Sequence, residues 1–199
     1  HLSDKDNVIL CLVGGGQDGA ALAQAFAQAH FPKSTIGILV AGPFMPKDIQ
    51  AQLHAQVECN PQCQIMDYVE EPTTLLARAD RVIAMGGYNT VCEILSFQKP
   101  ALEVPRVTPR LEQWIRSERL QKRGILDVLH PNDICSDALT HWLNKPVTQK
   151  TVINEHKAAS LNLHGLDNLL DALSIIIDKP VLAHRSPATR SVPKVSCVA

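Results

Sequence analysis

The sequence predicts an α/β fold in which a parallel, doubly wound sheet of about six strands carries helices on both faces. Three observations point there. Short runs near residues 8–13, 35–40 and 81–84 are apolar throughout rather than alternating, which marks strands buried on both faces. Segments of helical period separate them. Two of the strand-to-helix junctions are glycine-rich, Gly14-Gly15-Gly16 and Gly86-Gly87.

The elements follow in order. The first strand reads 8–13 and ends in the triple glycine, and an Ala-rich helix follows over 19–30. The second strand, 35–40, closes at Gly42-Pro43, and a helix over 46–57 has Pro46 in its first turn, where a missing N–H costs nothing. A third strand at 64–69 precedes a short helix at 72–79. The fourth, 81–84, runs through Gly86-Gly87 into a helix with Val91, Ile94 and Leu95 on one face. The fifth, 101–104, is ended by Pro105 and followed by a helix over 111–123, with Trp114 and Ile115 expected in the core. Residues 125–129 read as a sixth strand. Leu166, Leu169, Leu170, Leu173, Ile176 and Ile177 mark the apolar face of a last long helix. Residues 1–178 thus read as one domain. Residues 179–199, Pro- and Ser-rich with no acidic residue, read as a disordered basic tail.

Composition narrows the function classes. With 199 residues and 45% hydrophobic content the chain can bury a substantial core. A formal net charge of -1 gives no reason to expect nucleic acid. No apolar run approaches the roughly 20 residues of a membrane helix. The cysteines Cys11, Cys59, Cys63, Cys92, Cys135 and Cys197 are scattered, several in predicted core elements, as free thiols of a reducing compartment are. A cytoplasmic protein is expected.

The most informative stretch is Met85-Gly86-Gly87-Tyr88-Asn89-Thr90-Val91-Cys92-Glu93. Glycines let a ligand approach the backbone where strand becomes helix, and the new helix presents free N–H groups that suit a phosphate. Glu93 lies about one turn in, where a carboxylate can accept hydrogen bonds from a sugar diol. Together these read as a nucleotide-sugar site. Thr90 is equally readable as a helix cap.

Other motifs carry less. Gly14, Gly16 and Gly19 satisfy the G-x-G-x-x-G dinucleotide pattern, but the second strand ends Leu39-Val40-Ala41-Gly42 with no acid to hold an adenosine ribose. A nicotinamide or flavin cofactor is therefore disfavoured, and no cofactor is expected. No Gly-Lys-Ser/Thr follows, which argues against a P-loop. Cys59 and Cys63 form a pair without a second pair, and Asp4-Lys5-Asp6 is a D-x-D in a polar terminus. Neither supports a metal, and no metal is expected.

The two glycine loops, the Gly-Gly-x-x-Thr-x-x-Glu-Ile core, Lys99-Pro100, Val104-Pro105 and Glu112-Gln113 resemble the C-terminal, donor-binding domain of GT-B glycosyltransferases of family 28. That family is typified by the bacterial GlcNAc transferase of peptidoglycan lipid-precursor synthesis, and a bacterial branch of predicted glycosyltransferases is similar too. The likeness spans about 8–143. It implies a Rossmann-like half of a GT-B fold, with Gly14, Gly15 and Gly16 beside the diphosphate and the Val69 backbone at the uracil edge. Gly86, Gly87, Asn89 and Thr90 would surround the diphosphate, Glu93 would hold the ribose, and Glu112 and Gln113 would contact the donor sugar. The peptidoglycan enzyme carries two glutamines where this chain has Glu112-Gln113, so the sugar need not be GlcNAc. Arg106 and Arg110 lie outside that pattern and could meet an anionic group of donor or acceptor.

The mechanism so implied is metal-independent transfer of a hexosyl group from a UDP-sugar or similar donor to an acceptor hydroxyl, with helix N-termini stabilising the leaving diphosphate. The acceptor base belongs to an N-terminal domain, fused or supplied as a separate acceptor subunit. Because the sequence opens just before a strand, the chain alone is expected to bind donor without turnover. Any membrane contact, peripheral and at the inner face, would come through that other part. Two alternatives stand beside this reading: a non-catalytic nucleotide-sugar-binding module, and a nucleotide-sugar 2-epimerase or hydrolase of the same fold using carboxylates such as Glu70, Glu71 and Glu112.

Overall fold

The computed structural model describes residues 6–146, 161 and 165–177. The chain divides into two compact units, His1–Leu161 and Asn162–Ala199. The first contains six parallel strands: β1 (Asn7–Leu12), β2 (Thr35–Val40), β3 (Cys63–Met66), β4 (Arg81–Ala84), β5 (Ala101–Glu103) and β6 (Asp127–Val128). Their order across the sheet is β3-β2-β1-β4-β5-β6. The chain winds outward from β1 in one direction and then, from β4, in the other, so the topological switch lies between β1 and β4. Ligands of open α/β sheets bind outside the carboxyl ends of the strands at such a point.

The side-chain alternation of β1 shows why the sheet is covered twice. Ile9, Cys11 and Val13 join one core with Leu22 and Phe26 of α1 (Ala20–Ala27), Leu53 of α2 (Lys47–Glu58) and Leu139, Trp142 and Leu143 of α6 (Ser136–Asn144). Val8, Leu10 and Leu12 join the other with Leu76 of α3 (Thr73–Arg78), Val91, Ile94 and Leu95 of α4 (Tyr88–Ser96) and Leu120 of α5 (Glu112–Lys122). Both faces of a period-two strand are apolar because both are roofed by helices.

The expected strands and helices are all present, with ends moved by a few residues, and α6 is an addition to them. Its base is held by Arg81, whose guanidinium lies 3.8 Å over the Trp142 ring and donates to the Trp142 and Leu143 carbonyls at 2.8 and 2.9 Å. A cation at a helix C-terminus satisfies orphan carbonyls. In α5 the buried side chains are Gln113, Arg116, Ser117 and Leu120. Trp114 is half-buried and Ile115 exposed, contrary to the core role expected of them. The i, i+3, i+4, i+7 face that meets the sheet is here largely polar, and that displaces the apolar pair outward.

Among the described cysteines, all are free. Cys11 and Cys63 are buried, and Cys59 and Cys135 exposed. Burial pushes the Cys63 thiol up to about 12, so it is inert at neutral pH. The last helix forms as expected and is here α7 (Gly165–Ile177), within the second unit, with Leu166, Leu169, Leu170 and Leu173 exposed. The tail read at 179–199 lies outside the described residues.

Candidate functional site

The site is built at the carboxyl ends of β1, β4 and β5. Parallel pairing sets Leu12 opposite Ala84, and Ala84 opposite Glu103. The loops that follow all three strands therefore emerge side by side, and both glycine loops share one edge of the sheet.

The glycines differ in what requires them. A Cβ on Gly16 would fall 2.4 Å from the Ala41 carbonyl oxygen and 2.9 Å from the Met45 nitrogen, and Gly16 has φ +90°. The fold itself demands this glycine, because the first loop packs against the turn after β2. Gly86 is similarly confined, with Pro105 and Ser117 atoms 3.0 and 3.1 Å from the place of a Cβ. Gly87 is different: its φ is -64°, and nothing lies closer than 3.9 Å to a Cβ there. Among the described residues, no neighbour explains the missing side chain.

Gly87 is also the N-cap of α4, and no side chain caps that helix. The first helical bond runs from the Val91 N–H to the Gly87 carbonyl at 2.9 Å, so the amides ahead of Val91 lie at an uncapped terminus. Thr90 sits three residues inside the cap, which removes the helix-cap reading of its role. Tyr88 and Asn89 are exposed and Thr90 half-buried. Glu93 follows one turn later, half-buried, its carboxyl pushed above the ordinary glutamate range by burial and then by the charge of Glu71. Val69, in the loop after β3, packs against the core cluster that includes Val91, Ile94 and Leu95 of α4.

Beneath the second glycine loop lies a buried polar cluster that the sequence reading did not single out. Arg116 donates to the Gly86 carbonyl. Glu103, fully buried at the end of β5, accepts from or donates to Ser117. The Ser117 Oγ also lies 2.9 Å from the Gln113 carbonyl oxygen. A hydroxyl has one proton, so it cannot donate to both oxygens at once. If Glu103 is protonated, its O–H donates to Ser117 and Ser117 donates to Gln113, and both contacts are matched. Burial indeed raises the Glu103 carboxyl, against smaller opposing effects of the Ser117 hydrogen bond and the Arg116 charge. An acid inside an otherwise apolar strand was the one sequence signal of this cluster.

The donor-sugar candidates open α5. Gln113 is 8% exposed, and its Oε1 accepts from the Arg106 N–H at 3.1 Å. Glu112 is exposed. Arg106 pairs with Asp18 of the first glycine loop, Nη1 to Oδ2 at 2.8 Å, so one of the two candidate anion contacts already has a carboxylate partner. Arg106, Thr108, Pro109, Arg110, Glu112 and Gln113 line a cavity of about 390 Å³. Gly14 and Gly15 are exposed, and their loop is tied to the cavity wall through the Asp18–Arg106 pair. Among the described residues, no group of three or more His, Cys, Asp or Glu side chains could hold a metal, and no helix is long and apolar enough to cross a membrane.

The family model of the glycosyltransferase family 28 C-terminal domain matches residues 9–169. Similar curated proteins are UDP-N-acetylglucosamine--N-acetylmuramyl-(pentapeptide) pyrophosphoryl-undecaprenol N-acetylglucosamine transferases. The one from Histophilus somni is 23% identical over 155 residues, 76% of this chain and 43% of that protein. The one from Geobacillus kaustophilus is 36% identical over 76 residues, 37% of this chain and 21% of that protein. Among solved structures, Acinetobacter baumannii MurG superposes with TM-score 0.67 at 18% identity, covering 85% of this chain and 50% of that one. The calicheamicin glycosyltransferase CalG4 also gives 0.67, at 16% identity over 88% of this chain and 44% of that one. The chain spans half or less of the length of these relatives.

Proposed function

The chain belongs to the glycosyltransferase family 28 C-terminal domain family, and from that premise we propose that it is the donor-binding half of a metal-independent hexosyltransferase that uses a UDP-sugar or similar nucleotide sugar. The observation that carries this reading is the β4–α4 junction. Gly87 opens an uncapped helix with no internal reason to lack a side chain, and Glu93 stands one turn further on. An α4 terminus of this kind favours the negative charge of a diphosphate. Glu93 is then the acceptor for ribose hydroxyls, and the Val69 backbone is the group assigned to a base edge.

In the proposed transfer the acceptor oxygen bonds to C1 of the sugar as the bond from C1 to the diphosphate oxygen breaks. The acceptor proton passes to a base on the other half, and the nucleoside diphosphate departs with the electron pair. The amides of the glycine loops and of α4 stabilise the charge that accumulates on it. Charge neutralised in this way needs no metal ion and no cofactor. The acceptor, the base and any peripheral contact with the inner face of a cytoplasmic membrane belong to an N-terminal domain or a separate subunit.

Calorimetric titration of this chain with UDP, GDP, dTDP and NADH, with and without chelator, tests the proposal. A nucleoside diphosphate, expected to be UDP, should bind more tightly than NADH, and chelator should change little. Preferred NADH binding, or binding abolished by EDTA, would overturn it. Turnover should appear only when the N-terminal half is restored.

A further inference from the structure

We propose that the sugar held by this chain carries a carboxylate, and that Arg110 recognises it. The inference rests on the donor-binding reading above and adds the chemical class of the sugar. The cavity lined by Arg106, Thr108, Pro109, Arg110, Glu112 and Gln113 has a volume of about 390 Å³, within the range of small-ligand sites. Its walls are tied to both glycine loops. Arg106 is bonded to Asp18 in the first, and α5, which supplies Glu112 and Gln113, is bonded through Arg116 to the Gly86 carbonyl in the second. On this proposal the sugar, hanging from a diphosphate between those loops, sits in this cavity.

The cavity's polar groups are arranged for a ligand and not for one another. Arg110 and Glu112 have opposite charges and line the same space, yet they form no ion pair, and among the described residues neither side chain has a hydrogen-bond partner. Gln113 is buried, with 8% of its surface exposed. Its Oε1 is engaged by the Arg106 N–H, while its Nε2, which has two protons to donate, has no partner among the described residues. The α5 terminus itself has no side-chain cap. Arg106 is neutralised by Asp18, which leaves Arg110 as the available cation. A guanidinium matches a planar carboxylate with two parallel hydrogen bonds. The Gln113 amide can donate to the same group, and Glu112 can accept from ring hydroxyls. A neutral hexose would engage Glu112 and Gln113 but leave Arg110 without its acceptor.

The test uses the full chain and matched donors. UDP, UDP-glucose and UDP-glucuronate are titrated by calorimetry, and GDP-mannose and GDP-mannuronate form the same comparison for the other base. The uronate is expected to bind about tenfold more tightly than its neutral partner. In Arg110→Gln that preference should vanish while UDP affinity is unchanged, and Arg110→Lys should retain part of it. The preference should also shrink with added salt. Equal binding of uronate and neutral sugar, beside normal UDP binding, would overturn the carboxylate and leave the donor-binding reading intact. A preference that survives in Arg110→Gln would overturn the role of Arg110. Failure of every nucleotide to bind the folded chain would overturn both readings.

Discussion

Arg106, in the loop after β5, places its Nη1 2.8 Å from the Oδ2 of Asp18, in the loop after β1, across 88 positions of sequence. The pair bridges the two sides of the switch point. Both side chains are about half exposed, 45% and 51%, so the bridge contributes about 0–1 kcal/mol. Its electrostatic effect on a ligand is of greater interest, because Asp18 sets a negative charge beside the proposed diphosphate. Asp18→Asn should cost no more than about 1 kcal/mol in urea denaturation. At the same time it should tighten UDP binding, by removing that charge and releasing Arg106. Weaker UDP binding in this variant would show that the bridge shapes the site rather than guards it.

Gly87→Ser should move stability and binding in opposite directions. There is room for a Cβ, and serine is a better N-cap than glycine by roughly a few tenths of a kcal/mol. The same hydroxyl would then occupy amides meant for phosphate. A higher melting temperature with weaker UDP affinity is the expected result. Gly86→Ala, by contrast, should cost about 1–3 kcal/mol, since its methyl group meets Pro105 and Ser117. Unchanged UDP affinity in a stable Gly87→Ser protein would remove the diphosphate from this terminus.

Glu93→Ala should weaken nucleotide binding by about 1–3 kcal/mol, the cost of losing charged hydrogen bonds to a ligand. Glu93→Gln keeps one acceptor and should fall between. Burial and Glu71 hold this carboxyl above the ordinary range, so affinity should decline on acidification at a higher pH than an ordinary glutamate would give. A deoxyribose donor should be nearly indifferent to the substitution. Equal losses for ribose and deoxyribose nucleotides would place Glu93 elsewhere.

Glu103→Gln tests the buried cluster through its pH dependence. The raised pKa means that the native state keeps the proton over a range in which the unfolded chain has lost it. Stability from this group is therefore full below the unfolded glutamate value, about 4.3, and is lost as pH climbs through the folded one. Glutamine mimics the protonated acid and escapes that loss. Urea midpoints should favour the variant at pH 8 and converge with the native chain in acid. A variant less stable at pH 8 would mean that ionised Glu103 and Arg116 support each other.

Much of this was legible because apolar strands buried on two faces leave an unbroken signature, as in Val8 to Leu12 and Val82 to Ala84. The Gly86-Gly87 junction was equally plain. Helix α6 was not, since only Leu139, Trp142 and Leu143 of its nine residues are buried and Cys135 is an unusual cap. Nor could spacing show that Glu103 meets Ser117 or that Gln113 turns inward to bond the Arg106 N–H. Those contacts depend on how α5 rolls against β5, and a polar buried face carries no hydrophobic period to announce it. The glycine pattern suggested phosphate at every glycine of the two loops, whereas only the packing separates Gly16, which the fold needs, from Gly87, which it does not.

The strand order also has a consequence in time. The helical crossovers from β1 to β2 and from β2 to β3 join neighbours in the sheet, so those pairings are the more local ones. The pairing of β1 with β4 joins Leu12 to Ala84, and it cannot form until the whole first wing has been passed. Contacts of such long range carry a high loop-closure entropy and slow the search. The ligand edge is therefore completed late in folding, after a nascent chain has extended well beyond β4. During synthesis, a chain arrested near residue 80 would lack β4 and α4 and so carry no competent site.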